Sequence, residues 1–199
     1  MDNATPDLKR TALLSMDLQD TIVSIYTKNE PEFLPRVASV LKAARACNIR
    51  IIHVQVGFRP ALPEVSPRNQ LFGAIKNSPQ WQRVSQGPGG AIHSAVAPEA
   101  DEVVITKHRV SAFTGTDLEM ILRANDIDTL ILLGIATSGV VLSTLLRASD
   151  ADYQLFVVRD CCTDQDHEVH ASLIEKFFPR RATVLTADEI GEILKSTTD

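Results

Sequence analysis

The chain is poor in cysteine, in net positive charge and in long apolar runs, and each shortage excludes a class of protein. Only Cys47, Cys161 and Cys162 occur among 199 residues, and the last two are neighbours; this is no disulfide framework, and a reducing cytoplasm is the compartment it fits. Lysine and arginine number 20 against 25 acidic side chains, a net charge of −5, so nucleic acid and anionic membrane surfaces are not expected partners. The segment Met1 to Arg10 is polar and has no signal-peptide hydrophobic region. One stretch reaches the length of a membrane span, the 18 uncharged residues from Thr129 to Leu146. Gly134, Thr137, Ser138, Gly139, Ser143 and Thr144 interrupt it, and a β-branched, leucine-rich half gives way to helical spacing, so it reads as buried strand, tight turn and helix. What remains is globular material: 44% apolar residues, 23% charged, no long run of like charge, and a length suited to one domain over residues 1–199.

Short apolar runs of strand length lie at Thr11 to Met16, Arg50 to Val56, Glu102 to Thr106, Thr129 to Leu133, Gln154 to Arg159 and Ala182 to Leu185. Amphipathic helical patterns fall between or after them, at Glu32 to Cys47, Asp117 to Ala124, Val140 to Ala151, Asp166 to Phe178 and Asp188 to Lys195. Thr116 with Glu119 and Thr186 with Glu189 have capping-box spacing, and Pro31 suits a first helical turn. Strand and helix alternating, with strands apolar throughout, predict a doubly wound α/β domain: a six-stranded parallel sheet with helices on both faces. The long segment Gly57 to Pro98, rich in proline, breaks the alternation; it is expected to hold one short helix near Gln70 to Lys76 and to form a wall or lid over a site.

Ligands of open α/β sheets bind outside the carboxyl ends of the strands, where strand order reverses. Asp17 and Gln19 stand after the first strand, Lys107, His108 and Arg109 after the third, and the small-residue turn Gly134 to Gly139 after the fourth, opening a helix. Other clusters have weaker spacing. Ser138 and Thr137 could sit on a strand-turn-helix elbow, but Gly-x-Ser-x-Gly is absent and a hydroxyl there reads as a helix cap. Cys161, Cys162, Asp164, Asp166, His167 and His170 are the densest set of metal-ligand types, yet acids at a helix start and cysteines after a buried strand have ordinary structural roles, and no metal or other cofactor is expected. The glycines at 87, 89 and 90 lack the Lys-Ser/Thr of a phosphate loop.

These residues resemble the isochorismatase-like hydrolases, the cysteine hydrolase superfamily. The resemblance rests on Asp17-x-Gln19, on the segment Lys107-x-Arg109-x-Ser111-Ala112-Phe113-x-Gly115-Thr116-Asp117-Leu118, and on Gly134-Ile135-Ala136-Thr137 followed by Thr144. It implies an aspartate (Asp17) and a lysine (Lys107) flanking a nucleophilic cysteine. It also implies a cis peptide before Ala136, with the N–H groups of Ala136 and of residue 140 as an oxyanion hole on the turn that includes Thr137. At the position where the family carries its cysteine this chain has Val140. Isochorismatases proper also lack that cysteine and cleave a vinyl ether with the aspartate as proton donor. Nicotinamidases of the family carry Asp-x-His-x-x-His after the second strand, where this chain has Val56-Gly57-Phe58-Arg59-Pro60. The expectation is a metal-independent hydrolase of a small anionic or carbonyl-bearing molecule, non-covalent, with Asp17 as general acid/base and Lys107 as electrostatic stabiliser. Gln19, His108, Arg109, Phe113 and Ser138 are expected substrate contacts, and the assembly a homodimer or larger. The alternative is a catalytically silent relative that acts as a small-molecule binding or structural oligomeric module.

Overall fold

The computed structural model describes residues 5–79 and 90–197. Six strands, β1 (Thr11–Met16), β2 (Arg50–Val56), β3 (Val103–Lys107), β4 (Thr129–Ile135), β5 (Gln154–Thr163) and β6 (Thr183–Leu185), form one sheet in the order β3-β2-β1-β4-β5-β6. Every neighbouring pair is parallel, with Leu14 opposite both Ile52 and Leu132 at the centre. The strand order reverses between β1 and β4, which puts the switch point at their carboxyl ends.

Among the described residues there are seven α-helices: α1 (Asp20–Tyr26), α2 (Phe33–Ala46), α3 (Gln70–Asn77), α4 (Leu118–Ala124), α5 (Leu142–Ser149), α6 (His167–Ser172) and α7 (Ala187–Ser196). The period of two along β1 divides the core. Leu13 joins Val37, Val40, Leu41 and Ala44 of α2 and Ile190 and Leu194 of α7 on one face, whereas Ala12, Leu14 and Met16 join Leu118, Leu122, Leu145 and Phe178 on the other. The spacing of Val37, Val40, Leu41 and Ala44 is that of a single helical stripe. Among the described residues no helix is long and apolar enough to cross a membrane.

Some local expectations are corrected. Helix α1 has no precursor in the periodicity: it is seven residues long, starts after Gln19 with no side-chain cap, and buries only Ile22 and Val23. Helix α2 begins at Phe33, so Pro31 stands in the turn ahead of it. At α4 the N-cap is Asp117, and no capping box forms. The Thr116 hydroxyl donates to Ala112 O, and Glu119 is drawn into ion pairs with Arg123 at 2.6 Å and Arg147 at 3.4 Å. The box at Thr186 and Glu189 does form. Strand β5 runs beyond Arg159 because Cys162 and Thr163 still pair with Gly134 and Ile135, after a register shift between Leu132 and Gly134. The helical stretches at 140–151 and 166–178 are each broken, by π turns at Thr137–Val141 and Leu173–Phe177.

Candidate active site

Asp17 leaves β1 in the left-handed region, φ 56°, a conformation that aspartate tolerates better than most residues. Its N–H donates to Val54 O at 2.7 Å, which ties the end of β1 to β2. Lys107 is the last residue of β3, one strand beyond β2. Its Nζ donates to Asp17 Oδ2 at 2.8 Å and to Arg109 O at 3.1 Å, so two of its three N–H groups are used within the protein. Both side chains are almost fully buried, and Asp17 Oδ1 has no hydrogen-bond partner. Burial pushes the Asp17 carboxyl above its usual range, against the opposing pull of the Lys107 charge and hydrogen bond.

The opposite wall is the turn after β4. The Ile135–Ala136 peptide is cis, where the resemblance places it, and Gly134 has φ 140°. A Cβ at Gly134 would collide with the Met16 carbonyl, because β4 passes directly against the end of β1 there. The turn residues Ala136, Ser138, Gly139 and Val140 line a cavity of about 420 Å³ together with Asp17 and Lys107. Most of the remaining lining is apolar: Ile22 of α1, Val56, Val110, and Leu71, Phe72 and Ile75 of α3. The helix expected within the long connection is therefore Gln70–Asn77, and it is a wall of the cavity. Gly87 to Gly89 of the glycine cluster lie outside the described residues.

Of the expected substrate contacts, Arg109 and Ser138 line this cavity. The guanidinium of Arg109 donates to His108 O at 2.6 Å and Glu64 O at 3.0 Å, and lies 5.6 Å from the Phe72 ring centre. Gln19, His108, Phe113 and Thr137 are not among the described residues of the lining. The buried Gln19 amide bridges backbone: it donates to Val56 O and Gly90 O and accepts from Val56 N, pinning the returning end of the long connection over β1. A ring nitrogen of His108 bonds to Gly57 O, and the ring tilts against Phe58. Phe113 packs in the core with its ring 6.2 Å from that of Tyr153. Thr137, fully buried, pairs with His170.

Periodicity had no means of marking Tyr26, because it depends on the unanticipated α1. It lines the cavity half-buried, and burial together with the charges of Asp164 and Asp17 holds its phenol protonated above the usual range. None of the three cysteines lines the cavity, and burial pushes Cys161 well up and Cys162 to about 12. Among the described residues no group of three or more His, Cys, Asp or Glu side chains is arranged to hold a metal ion.

A buried carboxyl-ammonium pair thus faces a cis-peptide turn across a largely apolar cavity. The Isochorismatase domain family matches residues 11–189. The chain is 26% identical to a maleamate amidohydrolase of Pseudomonas putida over 94% of this chain and 88% of that one. It is 30% identical to the isochorismatase family protein YwoC of Bacillus subtilis, over 98% and 100% of the two chains. A cysteine hydrolase from Pseudomonas syringae shares the fold, with a TM-score of 0.88 at 22% identity, covering 98% of this chain and 97% of the other. With the whole sheet and the switch-point turn inside the matched span, the chain belongs to the isochorismatase family.

Proposed function

We propose that the protein is a metal-independent hydrolase of a small anionic or carbonyl-bearing molecule, working without a covalent intermediate. The observation that carries this reading is the Asp17 carboxyl: one oxygen is held by Lys107, the other has no partner, and burial favours the protonated form. Such a group can deliver a proton and take one back. With a vinyl ether as substrate, the Asp17 proton goes to the terminal vinyl carbon. The π electrons form that C–H bond and leave an oxocarbenium ion. Water adds to the cation and returns its proton to Asp17, and the hemiketal collapses to a ketone and an alcohol. Lys107, 2.8 Å from Oδ2, stabilises the carboxylate during the interval when Asp17 is deprotonated. For a carbonyl-bearing substrate the N–H groups of Ala136 and Val140 are assigned to the oxyanion that develops when water adds, and Arg109 and Ser138 to the substrate's polar groups.

We align Val140 with the position of the family's cysteine; its apolar side chain lines the cavity and offers no nucleophile. Among the described residues the cavity lining contains a single carboxylate and no histidine or cysteine, which is a poor donor set for a metal. The test is turnover of a panel containing isochorismate, maleamate and small esters, with chelator and with iodoacetamide present. Turnover that survives both and is lost in Asp17→Asn is the expected result. Metal-dependent or thiol-dependent turnover overturns the mechanism. Binding without turnover across the panel favours the silent module instead.

A further inference from the structure

The turn that walls the cavity closes on itself through the Gly139 and Val141 N–H groups, which donate to Ala136 O at 3.1 and 3.3 Å, and through the Leu142 N–H, which donates to Thr137 O. Gly139 departs from helical geometry with φ −98° and ψ −106°, and no side chain caps the turn at Ala136. From α5, the Ser143 hydroxyl donates to Gly139 O at 2.9 Å. Two shorter hydrogen bonds reach the turn from another part of the chain. The Asp164 carboxylate, just beyond β5 and 7% exposed, accepts the Ser138 N–H through Oδ2 at 2.7 Å. His170 of α6 shares a 2.8 Å hydrogen bond with the Thr137 hydroxyl, which has no exposure. Neither Asp164 nor His170 lines the cavity. They lie on one continuous segment, whose course is set where Asp166 caps α6 by accepting from the N–H groups of Glu168 and Val169.

We infer that Asp164 and His170 are positioning residues: through the Ser138 N–H and the Thr137 hydroxyl they set where the turn stands relative to Asp17 and Lys107. A buried N–H bonded to a carboxylate is a strong, directional contact, and losing the acceptor leaves the N–H unpaired. A reacting geometry displaced by about 1 Å costs on the order of 10²-fold in rate, so the segment after β5 acts on the chemical step more than on substrate affinity. The effect on rate rests on the hydrolase reading above, whereas the geometry of the turn does not.

The test therefore has two readouts on the full chain. Amide hydrogen exchange of the peptide covering 134–142 should accelerate by about tenfold or more in Asp164→Ala, while the β1 peptide keeps its protection. Asp164→Asn, whose amide oxygen can still accept the Ser138 N–H, should restore the wild-type rate. His170→Ala and His170→Asn should divide in the same way. If either alanine variant fails to fold, Thr137→Val removes the hydroxyl at nearly constant shape and should raise exchange in the same peptide. On any panel compound that the wild type turns over, the alanine variants should lose about tenfold or more in kcat with KM changed less than about threefold, and the asparagine variants should recover most of the loss. Unchanged exchange, or asparagine variants no better than alanine, overturns the positioning role. A wild type silent on the whole panel overturns the hydrolase reading, and exchange alone then decides this one.

Discussion

Asp17 and Lys107 are both held away from water, and each is the other's principal electrostatic partner. Asp17→Asn keeps shape and removes the transferable proton, so it should lower the rate on the order of 10²-fold or more. Lys107→Ala should do likewise by leaving the carboxylate without its counter-charge. Steady-state kinetics beside a melting curve checks both, and wild-type rates in folded variants would remove these residues from the mechanism. Val140→Cys places a thiol in the same cavity, at a stability cost of no more than about 1.5 kcal/mol by analogy with deleting one methyl group. With Lys107 lining that cavity its thiolate fraction should exceed that of Cys161 and Cys162, whose pKa values burial raises. Mass spectrometry with limiting iodoacetamide should show residue 140 modified first; modification no faster than at Cys47, Cys161 or Cys162 contradicts the alignment. At this scale strand ends were legible in the sequence, because a doubly wound sheet puts ligands there. The directions of the Gln19 and Phe113 side chains were not, since only the folded neighbours decide that one bonds backbone and the other joins the core.

Among the elements, β4 and its turn depend most on one residue. Gly134 combines φ 140° with the close approach to the Met16 carbonyl, so Gly134→Ala adds both backbone strain and a backbone collision. We expect it to destabilise the fold by more than about 3 kcal/mol, read as a drop in melting temperature or as insoluble expression. A variant melting within a few degrees of wild type would mean that β4 can shift away from β1. Helices with a full apolar stripe, such as α2, were legible from period alone. The seven-residue α1 was not, because two buried residues make no period, and β5 was read short because Arg159 and Asp160 look like a strand end. The fold uses that pair differently: Arg159 stays in solvent and Asp160 accepts the Ala187 N–H at the start of α7.

For the whole molecule, acid should act through a polar cluster far from the cavity. His53, with no exposure, pairs with Glu102 at 2.9 Å, and Glu102 also accepts from Arg45 and from Glu99 N. Burial raises Glu102, but the hydrogen bonds from Arg45, Glu99 N and His53 and the Arg45 charge together outweigh it and lower the carboxyl from 4.5 to about 2, so its contribution is complete above about pH 4.5 and is lost as pH falls toward 2. His53 is lowered from 6.5 by burial, so the unfolded chain takes up its proton first and stability also declines as pH drops below 6.5. Melting temperature should therefore fall steadily from pH 7 to pH 3, and the part below pH 4.5 should shrink in Glu102→Gln; an unchanged profile in that variant would exclude the cluster as the cause.

The sequence by itself determined the class of fold and the strand ends that carry Asp17 and Lys107, because burial on both faces writes apolar strands into the chain and parallel topology sends their carboxyl ends to one edge. Only the tertiary structure decided that these two side chains meet at 2.8 Å, that α1 and α3 close an apolar cavity over them, and that Asp164 and His170 hold the turn opposite. Those contacts join residues from separate crossovers, and no period or local propensity along a chain encodes which distant side chains the packing will bring together.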